Sequence, residues 1–366
     1  MTKQTFNSIQ ALRGIAALLI CCVHCITSKI GSNENTHSVI SELGRIFISI
    51  GNWGVDLFFI ISGFIITLLI FKTNECSFKN AFCFLIKRFF RIYPLFWITI
   101  SVAAFITFLI GYRGIEFQKL YDFKVILLLA HIYPFLGVAW TLSFEVFFYL
   151  GVFLFLCFFN KKYFIQFLLC WGGILFIFII LHHNNIFTFN YYTMTDPRVL
   201  EFFIGGLLLP ILIRRKNVFY DKYISITFGA IVILIGASNA YVNVPKHAYL
   251  GYWEIVYLNG FGSALLLYGF VGLEYHNKIY IPTSLKKLGD ISYSIYLWHF
   301  PIIGLSLLIN LKLNFYQHLP IIYHSIIEII TTILISILSY YMIERPSIHY
   351  SQRLSFKILS KNKVGN

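Results

Sequence analysis

In "RGIAALLICCVH" an arginine, Arg13, precedes a histidine, His24, by eleven residues. An imidazole is the side chain suited to moving a proton near neutral pH, and a guanidinium is suited to holding anions. Eleven steps of about 100° return a helix to within roughly 20° of the same face, with a rise of about 16 Å. Arg13 and His24 therefore look into one groove. The plainer alternative is an arginine reaching for inner headgroups and a histidine satisfied among neighbouring helices. Cys21, Cys22 and Cys25 surround His24. Cys21, His24 and Cys25 share a face, but one helix offers three ligands and a structural zinc site wants four, so no metal is expected. A thiol nucleophile with His24 as its base stays open, although an apolar site disfavours the thiolate. One working histidine among packing cysteines is the preferred reading.

Other ionisable residues lie in equally apolar surroundings. An ionisable group in hydrocarbon costs several kcal/mol unless paired or solvated, so each is a candidate for function. "GVDLFFIISGF" carries Asp56 at about the depth of His24, where a carboxylate can orient an imidazole. "KRFFRIYPLFW" carries Arg88 and Arg91 at i and i+3, a guanidinium pair suited to phosphates. Basic residues are also expected there as membrane anchors. "WTLSFEVFFY" carries Trp140, Ser143, Glu145 and Tyr149, the last two one helical turn apart. "YSIYLWHFP" adds His299, "IERP" adds Glu344 and Arg345, and Glu201 stands alone in an apolar run. His324 and Glu328, at i and i+4, read as a structural pair.

The elements that must position these residues are membrane helices. Of 366 residues 58% are hydrophobic and 12% charged, and the mean hydropathy is +0.76, more apolar surface than a soluble core absorbs. Ten crossings are expected, at 9–27, 46–71, 92–111, 138–159, 163–181, 198–213, 222–240, 253–273, 289–309 and 321–343. The run 123–135, short and interrupted by His131 and Pro134, reads as one re-entrant segment. The fold class is thus an all-α polytopic bundle, with residues 1–350 as one membrane domain and 351–366 as a short basic cytoplasmic tail. With both termini in the cytoplasm, 20 of the 29 Lys and Arg fall in cytoplasmic segments. The net charge of +14 is then a mark of topology and not of nucleic-acid binding. The seven cysteines suggest no disulfide framework.

Six of these motifs, in this order, resemble those of acyltransferase family 3, membrane proteins that O-acylate sugars and other acceptors. They are "RGIAALLICCVH", "GVDLFFIISGF", "KRFFRIYPLFW", "WTLSFEVFFY", "YSIYLWHFP" and "IERP". The resemblance implies a multi-pass enzyme of the bacterial inner membrane that takes an acyl group, usually acetyl, from cytoplasmic acetyl-CoA. It would place that group on an acceptor at the outer face. The family's first-span arginine and histidine fall on Arg13 and His24, its basic pair on Arg88 and Arg91, and its motif carboxylate on Glu145. The extracytoplasmic hydrolase-like domain of many relatives is not expected here.

The residues accommodate that chemistry. Arg88, Arg91 and Arg13 would bind the donor's phosphates and the entry of its arm. His24 would be the general base, with Asp56 or Glu145 orienting it. Ser143 and Tyr149 would serve the oxyanion, with Trp140 and His299 as further acceptor-side candidates. A covalent acyl-histidine or acyl-cysteine relay is the alternative mechanism. The competing class is a proton-coupled transporter or flippase of lipid-linked sugars, which would use Arg13, His24 and Asp56 but gives no reason for the arginine pair. The expected partners are membrane lipids and a lipid-linked or surface polysaccharide, with lipopolysaccharide O-antigen the first choice. The aromatics Trp53, Trp140, Tyr191, Tyr192, Tyr241 and Trp253 could face that acceptor or form a membrane belt.

Overall fold

The computed structural model describes residues 6–28, 39–73, 75–111, 122–130, 133, 135–187, 191–215, 218, 220–243, 254–314 and 320–360. The described residues form helices and no strands. In hydrocarbon this is the expected outcome, because a helix satisfies its own backbone. The helices are α1 (Asn7–Thr27), α2 (Val39–Lys72), α3 (Phe78–Leu109), α4 (Phe123–Ile126), α5 (Trp140–Phe158), α6 (Phe164–His183), α7 (Tyr192–Thr195) and α8 (Val199–Arg214). They continue as α9 (Tyr220–Asn243), α10 (Phe261–Tyr275), α11 (Thr283–Asp290), α12 (Ser292–Leu313), α13 (Ile321–Ser339) and α14 (Arg345–Ser360). Two π-helical turns, Ile255–Gly260 and Tyr340–Glu344, lead into α10 and α14.

Nine helical stretches among the described residues are long and apolar enough to cross a membrane. The sequence expectation of a crossing at 198–213 falls on α8, whose 16 residues span about 24 Å, short of a ~30 Å hydrocarbon layer. The expected third crossing, 92–111, proves to be the later part of a longer helix, α3, which starts at Phe78 behind a Ser77 cap accepting from Asn80 N at 3.3 Å. Residues 351–360, read from the sequence as tail, are the last ten of α14.

The chain divides into two compact units, 1–72 with 165–292 and 73–164 with 293–366. In the first, α1, α2, α8 and α10 share an apolar core that includes Leu12, Leu57, Phe64, Leu209 and Leu267. The approach of α2 to α8 is set by bare backbone: a Cβ on Gly63 would overlap the Phe202 carbonyl, and one on Gly205 the Ile60 carbonyl. The start of α1 is held by Glu274, whose two oxygens accept from Asn7 N and Ser8 N, each at 2.7 Å. A carboxylate there meets both the unpaired amides and the positive end of the helix.

In the second unit α3 is the spine. Cys83 Sγ donates to Ser355 O at 3.7 Å, and the Phe90 and Tyr350 rings lie 5.2 Å apart, which docks α14 on α3. The segment expected to be re-entrant opens with the single turn α4, followed by Leu128 at φ 58°. Tyr93 Oη donates to Leu127 O at 2.9 Å and Trp97 Nε1 to Ile126 O at 3.1 Å, so the segment hangs from α3. His131 and Pro134 lie outside the described residues.

Candidate active site

Each unit holds a buried polar cluster, and the residues singled out in the sequence divide between them. In the first unit His24 sits half-buried in the last turn of α1. Cys21 and Cys25, one turn apart on the buried side, have their sulfurs 3.9 Å from each other. Arg13 donates to Gln10 Oε1 at 3.4 Å, and its charge acts on Asp290 at the end of α11. Burial pushes the Asp290 carboxyl up, and Arg13 opposes that shift. Among the described residues no three His, Cys, Asp or Glu are grouped to hold a metal ion.

Asp56, on α2, is 1% exposed and neighbours Glu201 of α8, Asn259 of the first π turn, and the Arg198–Asp196 pair. Arg198 Nε donates to both Asp196 oxygens, at 3.0 and 3.1 Å, and Arg198 Nη2 donates to Tyr192 Oη at 2.6 Å. Glu201 packs on the bare backbone of Gly260, where an added Cβ would lie 2.7 Å from Oε1. Among the described residues no well-directed hydrogen bond reaches Asp56 Oδ2, either Glu201 oxygen or Asn259 Nδ2. Three carboxylates thus gather around one guanidinium. The π turn gives this its geometry, because the extra residue per turn rotates Asn259 into the cluster.

In the second unit Arg88, Arg91, Glu145, Tyr149 and Glu344 come together. Tyr149 Oη donates to Glu145 Oε1 at 2.9 Å, as their i, i+4 spacing on α5 requires. The Arg88 guanidinium, buried, lies 5.3 Å from the Tyr149 ring and 5.6 Å from the Phe84 ring. Arg91 acts electrostatically on Glu145, Tyr149 and Glu344. The second π turn carries Glu344, which accepts from Ser294 Oγ of α12 at 2.9 Å. The sequence expectation sets Arg88 and Arg91 on the cytoplasmic side just before one crossing, and Glu145 near the outer opening of another, at the depth of His24. The structure puts the arginines in mid-helix on α3, some 15–20 Å from its first residue, where α5 meets them.

Three further residues fall in the same unit. Ser143 Oγ donates to Ala130 O at 3.1 Å and lies 2.6 Å from Tyr133 Oη. Ser143 spends its one hydroxyl proton on Ala130 O, so Tyr133 is the donor between the two. Ser143 therefore fastens the 123–135 segment to α5, and an oxyanion role would require it to leave Ala130. His299 is fully buried, with Nδ1 3.1 Å from Ile295 O and its ring 6.0 Å from that of Tyr296. Tyr296 Oη donates to Val138 O at 3.0 Å, joining α12 to the start of α5. Trp140 stacks edge-on with Phe144 at 5.8 Å.

Sequence reasoning left out Asp196, Arg198, Asn259 and the continuation of the His324–Glu328 pair along α13. His324, Glu328, Thr332 and Ser336 repeat every four residues and are 2% exposed or less. The hydroxyls of Thr332 and Ser336 make no hydrogen bond among the described residues. The signal was present as a four-residue polar period in an apolar run. It was read only as far as its first pair.

A family model described as an acyltransferase domain matches residues 6–341. An "Exopolysaccharide production protein" of Rhizobium meliloti is 25% identical over 321 residues, 81% of this chain and 90% of that protein. A "Putative O-acetyltransferase" of Staphylococcus aureus is 25% identical over 344 residues, 84% of this chain and 54% of that protein. A "Putative peptidoglycan O-acetyltransferase" of Bacillus subtilis is 40% identical over 62 residues, 17% of this chain and 9% of that protein. The chain thus spans about half the length of the staphylococcal relative and a small part of the Bacillus one. No solved structure matches it. With six motifs in order and a match over nearly its whole length, the chain belongs to the acyltransferase domain family as a multi-pass membrane member.

Proposed function

We propose that this protein is a membrane O-acetyltransferase that moves an acetyl group from acetyl-CoA to a sugar hydroxyl of a cell-surface polysaccharide. The first acceptor to test is lipopolysaccharide O-antigen, and the setting is a bacterial inner membrane with both termini in the cytoplasm. The observation that carries this reading is α1, which presents half-buried His24 on the face that also bears Arg13, in a chain matched by the acyltransferase family over residues 6–341.

In the proposed reaction His24 takes the proton of the acceptor hydroxyl as its oxygen attacks the thioester carbon. The tetrahedral intermediate collapses, the carbon–sulfur bond breaks, and the departing thiolate takes up that proton to leave free coenzyme A. General-base assistance of this kind is worth about 10²–10⁴-fold in rate. Arg13, Arg88 and Arg91 are the proposed contacts of the anionic donor. The carboxylates beside Arg88 and Arg91 would hold the guanidiniums ready for exchange with phosphate. Asp56 and Glu145 are kept as positioning residues and Tyr149 as an oxyanion donor.

The test supplies acetyl-CoA and purified polysaccharide to the full chain in membranes, and reads free thiol together with acetate on the sugar by mass spectrometry. His24→Ala should insert normally and lose at least about 10²-fold in transfer. A variant with Cys21, Cys22 and Cys25 all changed to Ser should keep it. Thiol release that survives His24→Ala, or dies with the cysteines, overturns the assignment.

A further inference from the structure

The first unit carries an apolar groove between α6 and α8 and a polar pocket that shares α6 with it. The groove is lined by Leu169, Gly173 and Phe176 of α6, Ile204 and Leu207 of α8, and Tyr257 beside them, and has a cavity volume of about 410 Å³. Its rim is open to the surroundings of the bundle, with Leu169, Phe176 and Tyr257 all exposed, so in a bilayer it faces lipid. The side chains of α6 and α8 meet at the Trp171 and Phe203 rings, 4.9 Å apart.

The pocket lies at the C-terminal end of α6. It is lined by His182, His183, Asn185, Tyr192, Thr195 and Asp196 and has a volume of about 270 Å³. Groove and pocket are one helical turn apart on α6, and the turn before α8, where Leu200 N donates to Pro197 O at 3.0 Å, links them again. Phe176 of the groove is followed three residues later by Ile179 of the pocket, and Pro197 of the pocket precedes Leu200 of the groove by three. Residues three apart lie on one face, about 4.5 Å along the axis. A single ligand can therefore occupy both, with its chain below and its head above.

We infer that this seam binds a glycolipid, an apolar chain carrying an uncharged, hydroxylated sugar head, and that it is the docking site of the acceptor. The inference rests on the acetyl-transfer reading for the word acceptor and on the two cavities for the ligand class. Asp196 lines the pocket and its guanidinium partner Arg198 is already engaged with it and with Tyr192. The Asp196 side chain is buried and neutralised by Arg198, so the pocket offers amide, hydroxyl, imidazole and aromatic partners that suit sugar hydroxyls. The same Asp196–Arg198 pair acts on Asp56 and Glu201, so a wall of the pocket belongs to that cluster.

Gly173 provides a clean way to close the groove, because a Cβ built on it meets nothing within 4 Å. The probe is a farnesyl glucoside with a photoreactive diazirine on its chain, applied to the full chain in nanodiscs, with crosslinks mapped by mass spectrometry. Crosslinks should fall on α6 and α8, and unlabelled farnesyl glucoside should compete better than farnesol. Gly173→Phe should cut labelling about tenfold, Gly173→Ala much less, and Asn185→Ala should erase the preference for the glucoside over farnesol. Labelling that is unchanged in Gly173→Phe, or farnesol competing as well as the glucoside, would mean ordinary surrounding lipid only and overturn the inference. Labelling as expected in a protein that acetylates nothing would remove the transferase reading and leave the site standing.

Discussion

The buried clusters of the two units solve the same problem with opposite charge accounts. In the second unit two arginines, Arg88 and Arg91, face two carboxylates, Glu145 and Glu344, and Tyr149 and Ser294 donate to the carboxylate oxygens. In the first, Asp56, Asp196 and Glu201 gather around Arg198, which already spends its hydrogen bonds on Asp196 and Tyr192. Buried charge is tolerated where it is paired and hydrogen-bonded, and becomes costly where a partner is lost. The second cluster is therefore a network that is closed without the acetyl donor, its members holding one another until phosphate exchanges with the carboxylates. The first has carboxylate to spare, which suits a place where a proton or a polar ligand comes and goes.

That contrast should appear first in thermal unfolding of the detergent-solubilised protein. Arg91→Ala takes one of the two cations away from buried Glu344 and half-buried Glu145, leaving only Arg88, and should cost about 2–3 kcal/mol. That is below the ~3–5 of a fully buried pair, because Arg91 and Glu145 are themselves half-buried. An unchanged melting temperature would mean that the network is not closed. Glu145→Gln keeps the shape but removes the charge and weakens the Tyr149 hydrogen bond, for an expected cost of about 1–2 kcal/mol.

Glu274→Ala probes neither cluster and calibrates the scale. It strips two amide contacts from the start of α1 and should cost about 1 kcal/mol, as loss of a helix cap does. Glu201→Gln should have the smallest effect of the four, between no change and a slight gain, because it removes one of the surplus carboxylates. A loss as large as that of Glu145→Gln would show that the first cluster is as tightly balanced as the second, and the comparison would fail.

Much of this architecture could be read residue by residue. The apolar runs marked the helices, and i, i+4 spacing foretold the Tyr149–Glu145 hydrogen bond. Less legible was where the helices begin. Residues 78–91 carry Lys79, Lys87, Arg88 and Arg91 and looked like an anchor outside the bilayer. In the structure they continue α3 without a break, because Glu145, Tyr149 and Glu344 receive the arginines. The two π turns were invisible for a related reason: a single inserted residue leaves hydropathy unchanged while rotating Asn259 and Glu344 inward.

The sequence by itself determined that this is a helical membrane protein and that Arg13 and His24 share a face. Both follow from local rules, the self-satisfied helix backbone and its 3.6-residue period. Only the tertiary structure decided which charges meet: Glu145 with Arg88 and Arg91, and Asp56 with Glu201 and Arg198. Attraction between buried charges depends on their separation in space and is indifferent to sequence distance. The pairing was therefore settled by helix packing, down to the bare backbones of Gly63 and Gly205 that let α2 and α8 touch.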